Sequence, residues 1–147
     1  MGNVSNNNVA IFVPSLRGGG AERVMVILAN EFASRGYKVD LVLAKAEGPY
    51  LRNVAENVRV VDLGASRVLK SLPRLVRYLR RERPYAMLSA LNHANVTAIL
   101  AKCIARVSTR VVVSERTNVS LSMQFALGIM PRIVFRLMGW AYPYADG

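Results

Sequence analysis

The sequence predicts an α/β fold, a doubly wound parallel sheet with the core strand order 3-2-1-4-5. Short apolar runs rich in β-branched residues alternate along the chain with segments whose apolar residues recur at helical spacing. Glycine or proline separates most of these segments. In such a fold, helices cover both faces of the sheet and ligands bind outside the carboxyl ends of the strands.

The first strand, loop and helix carry the most informative pattern. Residues 9–13 predict a buried strand, three glycines follow it, and residues 21–35 predict an amphipathic helix that Gly36 ends. Glycines before a helix N-terminus favour an anion, because free N–H groups and the helix dipole point toward it. The same glycines also suit a tight chain reversal without a ligand. Known phosphate fingerprints do not fit, since Arg23 takes the sixth position of G-x-G-x-x-G and no Walker lysine follows.

The remaining segments continue the alternation. Tyr50 to Asn57 predicts a short helix or loop, and Cys103 is expected to face the core from a helix over 94–106. Further strands are expected over residues 37–44, 58–63, 85–91 and 110–114, and further helices over 68–83 and 130–140.

Composition narrows the classes of function. The 147 residues suit one domain, which we expect to span residues 9–147 after a disordered lead-in at 1–8. A single cysteine excludes an intrachain disulfide, and the start lacks a secretory signal. No stretch of 18 residues is free of charge, so a spanning helix is not expected. The net charge of +11 requires an anionic partner, which nucleic acid, phospholipid or a phosphorylated substrate would provide.

Three loops at the carboxyl ends of strands become candidate ligand sites. The loop after the first strand holds Arg17 and the glycines, and the loop after the fourth holds Asn92, His93 and Asn95. The loop after the fifth strand holds Glu115, Arg116 and Asn118. His93 is the only histidine, and its position favours a ligand-lining role over the structural role that most lone histidines have. No metal-ligand cluster and no Gly-x-Ser-x-Gly elbow is present.

The helix over residues 68–83 combines an apolar stripe with a strongly basic face. We expect this face to dock electrostatically on an anionic membrane, with Tyr78 as a flanking aromatic; a solvated surface is the alternative. The segment 121–140 is a second candidate for lipid contact or for packing against another domain. The membrane-facing cations would be Lys70, Arg74, Arg77, Arg80 and Arg81.

Several motifs together resemble the N-terminal domain of glycosyltransferase family 4 enzymes, the first half of a GT-B architecture built from Rossmann-like domains. They are P-S-L-R-G-G-G-A-E-R-V at 14–24, S-A-L-N-H-A-N at 89–95, V-V-V-S-E-R-T-N at 111–118 and Y-P-Y-A-D at 142–146. The resemblance implies retaining transfer of a sugar from a nucleotide-sugar donor to a glycan or lipid-linked acceptor. It also implies cell-envelope polysaccharide synthesis at the inner face of the cytoplasmic membrane, without a cofactor or metal.

The resemblance also assigns roles to individual residues. Gly18, Gly19 and Gly20 match the loop that approaches the donor diphosphate and sugar, and His93 matches a catalytic histidine near the reacting centre. Glu22 is in tension with this role, because its carboxylate would repel a phosphate at the helix start. The acceptor side would be formed by Arg17, Glu22, Asn92, Asn95, Glu115, Arg116 and Asn118.

Family members carry a second domain that binds most of the nucleotide. We therefore expect this chain to be a truncated acceptor-side domain, inactive without its C-terminal donor-binding partner. A nucleotide- or dinucleotide-binding domain of another class, such as an oxidoreductase, is the alternative, but Asp40 lies inside the second strand rather than at its end. A basic nucleic-acid module is a third possibility, without a recognisable binding motif, and nucleic acid is not an expected partner.

Overall fold

A computed structural model describes residues 7–17 and 19–114, which form a five-stranded, all-parallel sheet. The strand order is β3-β2-β1-β4-β5, so the predicted fold class and order are confirmed. Gly18, Glu115, Arg116, Asn118 and the predicted helix at 130–140 lie outside the described residues. The strands are β1 (Asn8–Val13), β2 (Lys38–Leu43), β3 (Val58–Asp62), β4 (Ala86–Ala90) and β5 (Arg110–Ser114).

Three α-helices and two short 3₁₀ helices connect the strands. The α-helices are α1 (Gly20–Ser34), α2 (Leu72–Glu82) and α3 (Asn92–Ala105), and the 3₁₀ helices span Pro49–Asn53 and Leu69–Ser71. The helix predicted over 68–83 is therefore a 3₁₀ turn followed by α2. Pro73 fits the first turn of α2, where its missing N–H has no partner to lose, and Arg83 ends the helix in the left-handed conformation before Pro84.

The two faces of the sheet bury different sets of side chains because neighbouring strand residues point to opposite sides. Ile11, Leu41 and their neighbours pack under α1, whereas Phe12 and Val42 pack under α2 and α3. Both layers consist mainly of buried aliphatic side chains, as expected for a parallel sheet covered on both sides. This arrangement covers both faces of the sheet and leaves the strand ends and the loops accessible to a ligand.

Two predicted side-chain positions are wrong. Cys103 is exposed rather than in the core, because α3 buries the face that carries Ala94, Ala98, Ala101 and Ala105, and position 103 lies on the other side. Tyr78 is buried rather than a membrane-facing aromatic, since its hydroxyl reaches inward from α2 to a carboxylate beneath it.

Candidate functional site

The carboxyl ends of β1, β2 and β3 meet the start of α3 around a cavity of about 530 Å³. A volume of this size is typical of small-molecule sites, and its position is the one that open α/β sheets use for ligands. The cavity brings together the predicted site residues Arg17 and His93. In the described part of the chain its lining is Pro14, Ser15, Arg17, Ala44, Lys45, Glu47, Ala65, Ser66, Arg67, Val68, Leu69, Lys70 and His93.

One wall of the cavity carries a three-membered ion cluster. Arg17 forms an ion pair and hydrogen bond with Glu47, and the Lys45 Nζ atom lies 3.3 Å from the second carboxylate oxygen of Glu47. The hydrogen bond from Arg17 lowers the pKa of Glu47 below its usual value, and Lys45 adds to this effect. Glu47 is therefore ionised at neutral pH and neutralises one of the two cations beside it.

A glycine holds this cluster in place. Gly48 has φ +118°, and a Cβ atom there would collide with the carbonyl group of Leu16. The close approach permits two backbone hydrogen bonds, from the Leu16 N–H to the Glu47 carbonyl (2.9 Å) and from the Tyr50 N–H to the Leu16 carbonyl (3.2 Å). The loop after β2 is thereby fastened to the loop after β1, with Glu47 directed at Arg17.

The part of the cavity wall that follows β3 carries two further cations, Arg67 and Lys70. The Lys70 N–H donates to the Arg67 carbonyl across 3.0 Å, a turn of the 3₁₀ kind in which side chains three residues apart project in the same direction. Both residues are exposed, and neither side chain pairs with a carboxylate in the described part of the chain. This wall is therefore positively charged without local compensation.

His93 reaches the cavity from the first turn of α3, where it is exposed. The Thr97 hydroxyl donates to the His93 carbonyl across 2.8 Å and so bonds to the first turn of the helix. The preceding Leu91 has φ +80° and ψ 141°, a backbone conformation that residues other than glycine rarely adopt. This sharp change of direction starts α3 directly at the end of β4 and places the imidazole at the sheet edge.

The other predicted residues of this loop do not line the cavity. Asn92 is the first residue of α3 and is half-buried. Asn95 is fully buried, and its side-chain amide donates to the Ser114 carbonyl across 3.3 Å. Asn95 therefore does not line this cavity, because the helix turns its side chain toward β5.

The glycine loop begins α1, with Gly19 as its N-cap residue and Gly20 as its first residue. The Glu22 carboxylate folds back against Gly19 so closely that a Cβ atom at Gly19 would collide with it. This position is favourable for a carboxylate because the helix dipole is positive there. An external anion at the same place would be repelled by this carboxylate. The repulsion expected for Glu22 from the sequence is therefore present in the folded protein.

The five predicted membrane cations do not share one free face. Lys70 lines the cavity, Arg74 donates to the carbonyls of Leu63 and Gly64, and Arg80 donates to the Ile104 carbonyl across 3.0 Å. The other two, Arg77 and Arg81, line a shallow groove of about 390 Å³ between α2 and the edge strand β3. In the ranges 7–17 and 19–114, no helix is long and apolar enough to cross a membrane.

A buried carboxylate lies beneath α2. Asp40 is fully buried in the middle of β2, where it accepts two hydrogen bonds from Arg59 (2.9 and 2.7 Å) and one from the Tyr78 hydroxyl (2.6 Å). Arg59 also pairs with Glu82 of α2. This network joins β2, β3 and α2, so Asp40 has a structural role and does not occupy the strand-end position from which an acidic residue binds a dinucleotide ribose.

Sequence reasoning missed Lys45, Glu47 and Arg67. The signal for them was present, because the rule that directs attention to strand carboxyl ends applies equally to the loops after β2 and β3. Among the described residues, no group of three or more histidine, cysteine or acidic side chains is placed to hold a metal ion.

The sequence comparisons agree with the geometry. The family model described as Glycosyltransferase Family 4 matches residues 18–147, which is most of the chain. No curated protein matches the sequence. With this match and with the parallel sheet that family members share, the chain belongs to glycosyltransferase family 4.

Proposed function

We propose that the chain is the acceptor-side domain of a retaining glycosyltransferase that moves a sugar from a nucleotide-sugar donor to a glycan or glycolipid acceptor. The observation that carries the proposal is the cavity at the carboxyl end of the sheet, in a chain of this family. Arg17 and His93, two residues that the family resemblance assigns to the site, line this cavity together.

Different residues of the chain contact the acceptor and the donor. His93 lies nearest the reacting centre, and Arg17 contacts the acceptor from the facing loop. The glycine loop at the start of α1 approaches the donor sugar, whereas the nucleotide is held mainly by a second domain across the cavity. Since Glu22 already faces the helix start, the glycine loop alone binds a diphosphate weakly.

The test is the release of nucleoside diphosphate from a panel of nucleotide sugars, measured with an added acceptor mixture. We expect release by the protein encoded by the whole gene and none by the 147-residue chain alone. His93→Gln should lower kcat strongly, whereas Lys38→Gln, an exposed residue at the opposite end of the sheet, should not. Absence of release from every donor would contradict the proposed function.

We also propose that α2 docks on the inner face of the cytoplasmic membrane. Arg77 and Arg81 support this, because they are exposed on one side of α2 and bond to no acceptor in residues 7–17 and 19–114. The apolar stripe of α2 is already buried against the sheet, so binding is electrostatic rather than insertive.

Vesicle sedimentation tests the docking. Binding of the chain to vesicles containing phosphatidylglycerol should fall after Arg77→Glu with Arg81→Glu, and it should fall with added salt. Arg23→Glu with Arg52→Glu makes the same change of charge at two exposed residues on the α1 side of the sheet and serves as the matched control. Equal loss in both double variants would show that net charge, not α2, determines binding.

A further inference from the structure

We infer that the cavity recognises a phosphate group on the acceptor and that Arg67 and Lys70 bind it. This inference rests on the proposed function for the acceptor's role, but the binding itself does not depend on turnover. It concerns residues that the family resemblance did not assign to the acceptor site.

The charges of the cavity are the first observation. Within residues 7–17 and 19–114, its lining contains four cationic side chains, Arg17, Lys45, Arg67 and Lys70, and one carboxylate, that of Glu47. The Glu47 carboxylate forms ion pairs with Arg17 and Lys45. Arg67 and Lys70 have no carboxylate partner in the described ranges, and two neighbouring cations repel each other until an anion lies between them.

The types of the two side chains favour phosphate. The planar guanidinium of Arg67 can donate two parallel hydrogen bonds to phosphate oxygens, and the ammonium of Lys70 supplies a compact charge beside it. A phosphate carries close to two negative charges near neutral pH, which matches two cations, whereas a carboxylate carries one. A free phosphate bound here would avoid Glu22, which faces the start of α1.

The shape of the site selects a small ligand group over a polymer. The cavity is concave and holds about 530 Å³, and no Phe, Tyr or Trp side chain among the described residues lines it. Single-stranded nucleic acid would need a long basic groove with aromatic stacking positions. The space fits one phosphorylated head group instead.

The cavity lining also contains apolar residues. Pro14, Ala44, Ala65, Val68 and Leu69 all contribute to the lining. An acceptor with a phosphate and an adjoining apolar portion would use both surfaces. The phosphate could belong to a lipid phosphate or to a phosphorylated sugar, and the experiment distinguishes these two sources.

The experiment is isothermal titration of the 147-residue chain with octyl phosphate and with a hexose phosphate, each compared with its uncharged counterpart, octanol or the free hexose. We expect binding of at least one phosphate and none of its counterpart. Tighter binding of octyl phosphate would identify a lipid phosphate, and tighter binding of the hexose phosphate would identify a phosphorylated sugar. Failure to bind either phosphate would overturn the inference.

Variants locate the binding in the cavity. Arg67→Gln with Lys70→Gln should weaken phosphate binding by about tenfold or more, whereas the matched control Lys38→Gln with Arg106→Gln should leave it unchanged. Arg67→Lys keeps the positive charge but loses the planar guanidinium. Its affinity for phosphate should lie between those of the cavity double variant and the control double variant. Both cavity residues are exposed, so thermal unfolding should confirm that the variants remain folded.

Unchanged binding in the cavity variant, or equal loss in the control, would assign the effect to general charge and overturn the inference. The outcome is separable from the proposed function. Sugar transfer by the whole protein without phosphate binding by this chain would leave the function standing, and phosphate binding without any nucleoside diphosphate release would leave the binding site standing.

Discussion

Arg17 and Glu47, thirty residues apart in the chain, form an ion pair that joins the loops after β1 and β2. The pair lines the same cavity as Arg67 and Lys70. Glu47 therefore has two effects on an anionic ligand: it orders Arg17 and Lys45, and it subtracts one charge from a cationic site. The exposed position of Arg17 means that the first effect is small, because exposed ion pairs contribute little.

Glu47→Gln should tighten the binding of octyl phosphate by about threefold, because it removes a repulsive charge from the cavity while keeping the shape of the side chain. Titration calorimetry at low and moderate salt measures the change, which should shrink as salt increases. Glu56→Gln, an exposed acidic residue before β3 that does not line the cavity, is the matched control. Weaker binding in Glu47→Gln would show that ordering of Arg17 dominates.

Gly48 should tolerate alanine much less well than two other glycines. Gly48→Ala should lower the free energy of unfolding by about 2 kcal/mol or more, since it combines a positive φ with a collision against Leu16. Gly36→Ala meets open space at φ +95° and should cost about 1 kcal/mol, and Gly20→Ala should be neutral or stabilise by about 0.5 kcal/mol. Urea denaturation gives the order, and equal losses at positions 48 and 36 would contradict the packing argument.

Tyr78→Phe should lower the free energy of unfolding at neutral pH by about 1–2 kcal/mol, because the hydroxyl donates to the buried side chain of Asp40. Burial, followed by the hydrogen bond to Asp40, raises the pKa of Tyr78 far above its ordinary value of 10.0. The hydroxyl therefore makes its full contribution to the free energy of unfolding below about pH 10, and this contribution decreases at higher pH.

The pH dependence isolates this residue. Above about pH 10 the unfolded chain releases the tyrosine proton and the folded chain keeps it, so the free energy of unfolding falls by about 1.4 kcal/mol per pH unit from this group. Wild type and Tyr78→Phe should therefore converge in alkaline urea titrations, because the variant lacks this loss. A constant difference between them up to pH ~11 would show that the folded Tyr78 ionises normally.

At position 91, a glycine variant should be more stable than an alanine variant, which is the reverse of the usual order. Its φ of +80° is strained for any side chain with a Cβ atom, so Leu91→Gly should be more stable than Leu91→Ala by about 1 kcal/mol. Both variants remove the same packing contacts beyond the Cβ atom, which makes them a matched pair. Chemical denaturation that ranks alanine higher would contradict the strain at the β4–α3 junction.

The strands and helices within the described residues follow the predicted order, with boundaries that differ by a few residues. β5 has the predicted bounds, and β1 begins one residue earlier, at Asn8. Apolar periodicity predicts these elements well because each strand and helix buries one or two complete faces. The face of α3 was harder to predict, since its apolar residues are spread around the helix and alanines occupy the buried side.

The site was predicted less completely than the fold. Arg17 and His93 were predicted at the cavity, but Lys45, Glu47 and Arg67 were not, and Lys70 was assigned to the membrane. A basic residue near the start of a helix gives no local sign of whether it faces a cavity, a carbonyl group or solvent. Arg74 and Arg80 illustrate this, because they belong to the same basic segment but donate to backbone carbonyls of other elements.

The sequence by itself determined the order of strands and helices, the doubly wound topology and the resemblance to the family, because these depend on local periodicity, chain handedness and motifs. Only the tertiary structure decided which charges meet. Side chains thirty or more residues apart, such as Arg17 with Glu47 and Asp40 with Tyr78, become neighbours through packing and strand register. An ion pair requires a distance of a few ångströms between the charged groups. Only the folded structure therefore shows which cations are paired and that Arg67 and Lys70 have no carboxylate partner among the described residues.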